Sequence, residues 1–177
     1  TKMKKACAAH DNPDEIVTAV TSAAKALAAN KSWVKPEYFE CDEVQGMGIT
    51  ILNEELDHSI LVETVAWLPG RGVAPHDHQT WGVVMGIEGE EVNVNWQRLD
   101  DGRNPDFAEL EIVEERQICN GDVVSLLPDD IHSVRNEGET TSLSLHVYGH
   151  ALSSLERYEF DPINKIRRVC PQRKRRE

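Results

Sequence analysis

Two rhythms divide the chain. Over residues 12–30 apolar side chains recur at helical spacing: Ile16, Val20 and Leu27, with alanines between them, form a narrow stripe along one side of a helix. The start of that helix is set by residue type. Asn12 suits an N-cap, Pro13 the first helical position, and Asp14 and Glu15 the positive end of the helix dipole. The stretch "SWVKPEYFE" that follows reads as a linker or a short second helix. Because the stripe lacks bulky residues, it predicts packing against the rest of the protein rather than membrane binding.

From Gly46 the period becomes two. Runs such as "GITIL", "ILVETVAWL", "WGVVMGI", "EEVNVNWQRL", "ELEIVEERQI", "VVSLL", "HSVRN" and "SLSLHVYG" are separated by the turn sequences "LPGRG", "DDGRNP", "NGD" and "NEGE". In "VNVNW" the apolar Val92, Val94 and Trp96 alternate with polar neighbours, the pattern of a half-buried strand. About eight strands with no helix between them exclude a parallel α/β sheet and predict a mainly β sandwich or barrel. The expected organisation is an N-terminal helical segment over residues 1–45, packed on a barrel domain over residues 46–177.

Composition changes this picture little. Hydrophobic residues make up 40% and charged residues 28%, the proportions of an ordinary globular protein. No apolar run approaches the ~20 residues that span a bilayer, and no signal-peptide apolar region is visible, so a cytoplasmic protein is expected. Cys7, Cys41, Cys119 and Cys170 are scattered without a CxxC pair, as reduced thiols are. Charge adds one asymmetry. The chain carries −12 overall, yet Lys165, Arg167, Arg168, Arg173, Lys174, Arg175 and Arg176 crowd its end. Phosphate would be repelled by so acidic a body, so neither nucleic acid nor membrane is expected as a partner; a solvated or self-docking tail is. Monomer and homo-oligomer remain equally open.

The candidate chemistry begins in "GRGVAPHDHQTWGVV". His76 and His78, two apart on extended backbone, point to the same side, and two converging imidazoles suggest a metal. A third ligand must come from elsewhere. His132 stands in "NGDVVSLLPDDIHSVRN", after an apolar strand and a Pro-containing turn, whereas His10 and His58 lie in polar surroundings and take no role. Zinc hydrolysis fits three histidines, but no general base stands beside them in sequence. A second constellation lies in "SLSLHVYGH", where Ser144, His146 and Tyr148 alternate along one strand face. A hydroxyl, an imidazole and a phenol in a row form a candidate hydrogen-bonded relay. Serine hydrolase chemistry is not expected, since no carboxylate orients the histidine and no nucleophile elbow is visible.

Taken together, Gly70, His76, His78 and Gly89, then Gly121, Pro128, His132 and Asn136, resemble the two-part signature of the cupin superfamily over roughly residues 46–150. The resemblance implies a double-stranded β-helix barrel, a jelly roll, around a metal. One ligand departs from it: where a glutamate is usual, this chain has Gly82 and Val83. The implied site therefore holds three neutral histidines, which leaves the metal its divalent charge and about three open positions.

With Ser144, His146 and Tyr148 following, the chain further resembles the thiol dioxygenases, the cysteine dioxygenase family, and among them bacterial 3-mercaptopropionate dioxygenases. The resemblance implies Fe(II) bound by His76, His78 and His132, a small thiol and O2 as partners, and a sulfinic acid as product. Ser144, His146 and Tyr148 would manage protons beside the metal. Two departures bear on substrate. Gly82 and Val83 leave Tyr148 no cysteine to crosslink with, and Thr50 occupies the place of an early-strand arginine that holds the substrate carboxylate. In mercaptopropionate-type members an arginine shortly after the tyrosine serves instead; Arg157, nine residues on, fits. An ion pair of Arg157 with Glu156 or Glu159 is the competing reading. Trp81 is expected in the pocket wall or in the core. Two other functions share the ligands: a dioxygenase that cleaves carbon–carbon bonds, and a metal- or ligand-binding sensor.

Overall fold

The computed structural model describes residues 2–176. Strands are numbered in chain order. One antiparallel sheet runs β1 (Met47–Glu54), β2 (Leu61–Trp67), β9 (Ser142–Tyr148), β4 (Gly82–Glu88), β7 (Val123–Leu126). The other runs β11 (Ile166–Val169), β10 (Tyr158–Asp161), β3 (Gly72–His76), β8 (Ile131–Arg135), β5 (Glu91–Arg98), β6 (Leu110–Ile118). Met47, Ile49, Val65 and Trp67 of the first sheet meet Val134 of the second, so the sheets face each other across a shared interior. This is the cupin-type double-stranded β-helix. Its strands outnumber those legible in sequence: β3, β10 and β11 are short and interrupted by polar residues, and only their neighbours make them strands.

The helical segment covers the outside of the first sheet. Helix α1 (Lys2–Ala8) precedes α2 (Pro13–Ala28), whose Asn12 side chain accepts the Asp14 amide at 2.9 Å as an N-cap. The face that α2 buries is Val17, Val20, Ala24 and Ala28; Ile16 and Leu27, expected in the stripe, flank it half-buried. The following stretch, expected as a linker or a short second helix, forms two short 3-10 helices, Lys31–Trp33 and Pro36–Phe39. Small residues on α2 allow close approach to Val83, Met85, Leu143 and Leu145. Each fully buried leucine contributes roughly 1.5–3 kcal/mol there.

This layering explains β9. Leu143, Leu145 and Val147 face the helix, so alternation turns Ser144, His146 and Tyr148 inward. Strand β5 reverses its sequence expectation. The polar set makes the interior contacts, Glu91 to Ser142 of the opposite sheet and Asn93 to His132, while Val92 and Val94 are buried on the other face. A polar interior is costly unless every group finds a partner. Here the partners belong to the candidate site.

Candidate metal centre

The residues around the two histidines on the β3 side divide their work. His76 sits opposite His132 of β8, after an irregularity in register that follows Val73. His78 lies just past the strand, and Gln79 beyond it adopts a left-handed φ of 55°, turning the chain away once the second imidazole is placed. Asp77 points elsewhere: its carboxylate accepts the Tyr158 amide at 2.9 Å, and its own amide donates to the Tyr158 carbonyl at 3.0 Å. That clamp seats the start of β10, and hence Arg157, beside the imidazoles. The aspartate in His-Asp-His is thus a tie between segments, a role its sequence context did not reveal.

Ring centroids of His76, His78 and His132 are 4.7–5.0 Å apart, and one nitrogen from each falls within 4.8 Å of the others. All three rings are buried. Desolvation lowers the His76 pKa to about 4 and holds His78 and His132 well below the usual imidazole value, so all three are neutral, the form that binds metals. Backbone and amide oxygens set two tautomers. His76 Nδ1 donates to the Ala74 carbonyl at 2.9 Å and His132 Nδ1 to Asn93 Oδ1 at 2.7 Å, leaving each Nε2 as a lone-pair donor. The Asn93 amide is itself oriented by donating to Asn95 Oδ1 at 2.8 Å. A divalent metal fits this donor set, since three neutral imidazoles converge with their N–H groups already committed elsewhere for two of them; imidazole suits iron, zinc, copper and nickel alike. Asn93→Ala is therefore expected to weaken metal binding about 10–100-fold without removing a ligand. Competition with a chelator of known affinity measures the loss, and an unchanged affinity removes Asn93 from the centre.

Beside the imidazoles runs the relay. Tyr148 hydroxyl and His146 Nδ1 are 2.8 Å apart, and His146 Nε2 and Ser144 Oγ 2.9 Å. The Tyr148 ring stacks on His78 with centroids 4.9 Å apart. Gly82 makes this possible: a Cβ there would lie 3.0 Å from two Tyr148 ring carbons. Burial lowers the His146 pKa to about 3 and pushes the Tyr148 phenol upward, so both are neutral.

The cavity that these groups share measures about 60 Å³. At the ~10–15 Å³ that each water-sized group needs, it takes a compact ligand of a few heavy atoms. Arg157 lines it and is only 7% exposed. Neither expected ion pair forms. Glu156 is engaged by the Tyr158 hydroxyl, and Glu159 by Arg168 at 2.6 Å and Arg173 at 3.5 Å. Among the described residues the Arg157 guanidinium has no carboxylate within ion-pair distance.

Three further lining residues escaped sequence reasoning. Glu63 is a buried acid whose desolvation raises its pKa to about 7, with Arg175 Nε at 3.6 Å. Its signal was a lone acid inside "ILVETVAWL". Arg173 and Arg175 come from the basic tail, which docks on the barrel rather than extending into solvent. The Arg176 amide donates to the Ile49 carbonyl at 2.9 Å, the Ile51 amide to the Arg176 carbonyl at 2.7 Å, and Lys174 and Arg176 pair with Asp42 and Glu40. Two expected substrate-side residues are not brought to the cavity. Met47 and Ile49 face it, so alternation along β1 turns Thr50 the other way. Trp81 packs in the core beneath α2.

The four cysteines are free. No helix among the described residues is long and apolar enough to cross a membrane. No protein-family model matches the chain. Among solved structures, an oxalate oxidase in complex with the substrate analogue glycolate aligns at 16% identity over 68% of this chain and 64% of its own, with a TM-score of 0.47. An uncharacterized conserved protein with a double-stranded beta-helix domain from Klebsiella pneumoniae aligns at 15% identity over 80% of this chain and 99% of its own, TM-score 0.48. The cupin_2 domain of an XRE family transcriptional regulator from Enterobacter cloacae aligns at 18% identity over 60% and 99%, TM-score 0.42. The chain thus spans less than two thirds of the oxalate oxidase structure. An oxidase and a domain of a regulator stand at the same remove, so these likenesses do not reach activity, and the fold rests on the strand order itself.

Proposed function

We propose that this protein is a non-haem iron thiol dioxygenase acting on a small thiol carboxylate, with 3-mercaptopropionate the favoured substrate. The observation that carries the reading is the meeting, at one small cavity, of three neutral imidazoles, Tyr148 with His146 and Ser144 behind it, and a buried arginine that has no carboxylate within ion-pair distance among the described residues. His76, His78 and His132 would hold Fe(II), which when bound supplies thiolate coordination and O2 activation. The overall change is R–SH + O2 → R–SO2H, in which both oxygen atoms end on sulfur.

The chain's own residues supply the rest. Arg157 offers a carboxylate two parallel charge-assisted hydrogen bonds, which fixes the substrate end remote from sulfur. Tyr148 stands on His78 and holds a proton at its hydroxyl, oriented by His146 and, through it, Ser144. The apolar wall of Ile49, Val65, Trp67 and Val134 excludes water from the reacting sulfur. The same wall limits the ligand, so a compact aliphatic acid suits the cavity better than the larger diketones or flavonols of carbon–carbon cleavage.

Metal analysis with an oxygen-electrode screen tests the proposal. Iron content together with oxygen uptake and sulfinate formation from 3-mercaptopropionate, and none with acetylacetone, is the expected result; absence of uptake with every thiol overturns it. Tyr148→Phe is expected to retain iron and lose about 10²–10⁴-fold in turnover, the usual contribution of a positioned proton donor.

A further inference from the structure

The relay does not stop at Ser144. Glu91, from β5 of the opposite sheet, reaches the same point: its carboxyl accepts the Ser142 hydroxyl at 3.0 Å and interacts with the Ser144 hydroxyl as well. Glu91 is 4% exposed, and among the described residues no cation is paired with it. It also lines a second, outer pocket with the exposed Glu90, Glu115, Gln117 and Glu137. That pocket shares no residue with the metal cavity. A continuous run of polar atoms therefore crosses the barrel interior from the Tyr148 hydroxyl to an acidic outer surface.

We propose that Glu91 is the terminal proton acceptor of a chain Tyr148–His146–Ser144–Glu91, and that its protonation state sets which way the Tyr148 hydroxyl points. Hydrogen-bond direction supplies the coupling when the Ser144 hydroxyl, which also reaches the Val65 carbonyl at 3.4 Å, turns to Glu91. With Glu91 ionised, Ser144 O–H donates to the carboxylate, His146 Nε2–H to Ser144 Oγ, and Tyr148 O–H to His146 Nδ1. The tyrosine proton then faces away from the metal cavity. With Glu91 protonated, every bond reverses: Glu91 O–H donates to Ser144, Ser144 O–H to His146 Nε2, and His146 Nδ1–H to the Tyr148 oxygen. The Tyr148 O–H is released toward the cavity.

Passage from the first state to the second conserves atoms and charge. One proton moves across each of the three hydrogen bonds toward Glu91, and Tyr148 takes its replacement from the cavity side. Neither His146 nor Ser144 becomes charged, which the low basicity of the buried His146 requires. On the proposed function, the proton so collected is the one a thiol gives up, and Glu91 discharges it to the outer pocket. No electron transfer or co-reactant enters.

The electrostatic setting suits a group that titrates in the physiological range. Desolvation raises the Glu91 pKa to about 7, with Ser144 and Ser142 opposing. The charged groups facing it on the outer side are Glu90, Glu115 and Glu137, with Arg135 of β8 bound between the last two at 2.8 and 2.5 Å. On the inner side stand the neutral His146 and Tyr148, and beyond them in the metal cavity Glu63, Arg157 and Arg175, which act on the Tyr148 phenol.

The test uses metal-free protein labelled with ¹⁵N histidine, so its outcome is independent of whether any thiol is a substrate. Ring nitrogen shifts of His146 are followed between about pH 5 and 8, the range in which imidazole chemistry is normally read. The expected result is a change between two neutral tautomers, Nδ1–H at the acid end and Nε2–H at the alkaline end, with a midpoint near the Glu91 value of about 7. Glu91→Gln abolishes that change and leaves one tautomer throughout. Ser144→Ala, which keeps Glu91 but breaks the link, does the same and serves if the first variant does not fold. A single His146 tautomer across the range in wild-type protein overturns the proposal, as does a change that persists unaltered in a folded variant.

Discussion

His132→Ala abolishes the metal-dependent rise in thermal stability and, with it, oxygen uptake. A ligand that binds only the folded state stabilises it by RT ln(1 + [L]/Kd), about 4 kcal/mol at a thousandfold excess over Kd. With the third imidazole gone, His76 and His78 are left on one chain segment with nothing facing them from β8. Loss of a direct ligand exceeds the ~10–100-fold that a supporting partner costs, so at micromolar iron the shift in melting temperature vanishes. The comparison must be made on metal-free and metal-loaded protein in parallel. The buried His132 side chain also fills space, and Asn93 loses its partner when it is cut back. That loss lowers the melting temperature of both forms equally, whereas loss of coordination removes only the difference between them. A variant that keeps the full metal-induced shift shows that the ion is held elsewhere.

Arg157→Met moves stability and activity in opposite directions. Arg157 is 7% exposed and, among the described residues, has no carboxylate within ion-pair distance, although Glu63 attracts it from further off. Replacing the arginine by a methionine of similar length is expected to stabilise the substrate-free protein, by less than the ~1–4 kcal/mol gained when a whole buried ion pair is exchanged for packed apolar groups, because Glu63 loses a favourable neighbour. Activity falls because the lost hydrogen bonds to a charged group are worth ~1.5–3 kcal/mol, about 10–100-fold in kcat/KM. Cysteamine, a thiol without a carboxylate, serves as the control: its kcat/KM stays within a factor of about two, well under the 1.4 kcal/mol that a tenfold change represents. Equal losses with both thiols place the defect in the cavity's shape rather than in carboxylate recognition. A destabilised variant shows that Arg157 holds the fold rather than a ligand.

Particular elements show how far sequence reasoning reached. Helix α2 was legible down to its cap, because Asn12, Pro13 and Asp14 act within one turn and need no distant partner. Which of its sides would be buried was less so: Val17, Val20 and the alanines face the sheet, and only the packing partners on β4 and β9 show it. His76 with His78 and the Ser144–His146–Tyr148 alternation were visible as spacing, since period two places such residues on one face whatever lies opposite, whereas His132 joined the pair through the resemblance. Glu91 and Asn93 show the opposite case. Their polar character marked them as outward, and only contact with Ser142 of the opposite sheet and with His132 of the neighbouring strand turns them in.

Local residue types and their periodicity thus determined by themselves that this chain forms a capped helix followed by many short antiparallel strands, with two sets of inward-pointing polar residues. Those features depend on interactions a few positions long. The resemblance named Arg157; the tertiary structure alone decided that it stands free of Glu156 and Glu159 and which further cations and acid complete the cavity. Arg157 is placed by a clamp between Asp77 and Tyr158, Arg173 and Arg175 by a tail laid along β1, and Glu63 by β2, while Glu91, outside the cavity, is turned inward by Ser142 of the opposite sheet. Residues so far apart in the chain meet only when the barrel closes, and whether a buried charge is paired or free is a property of that closure.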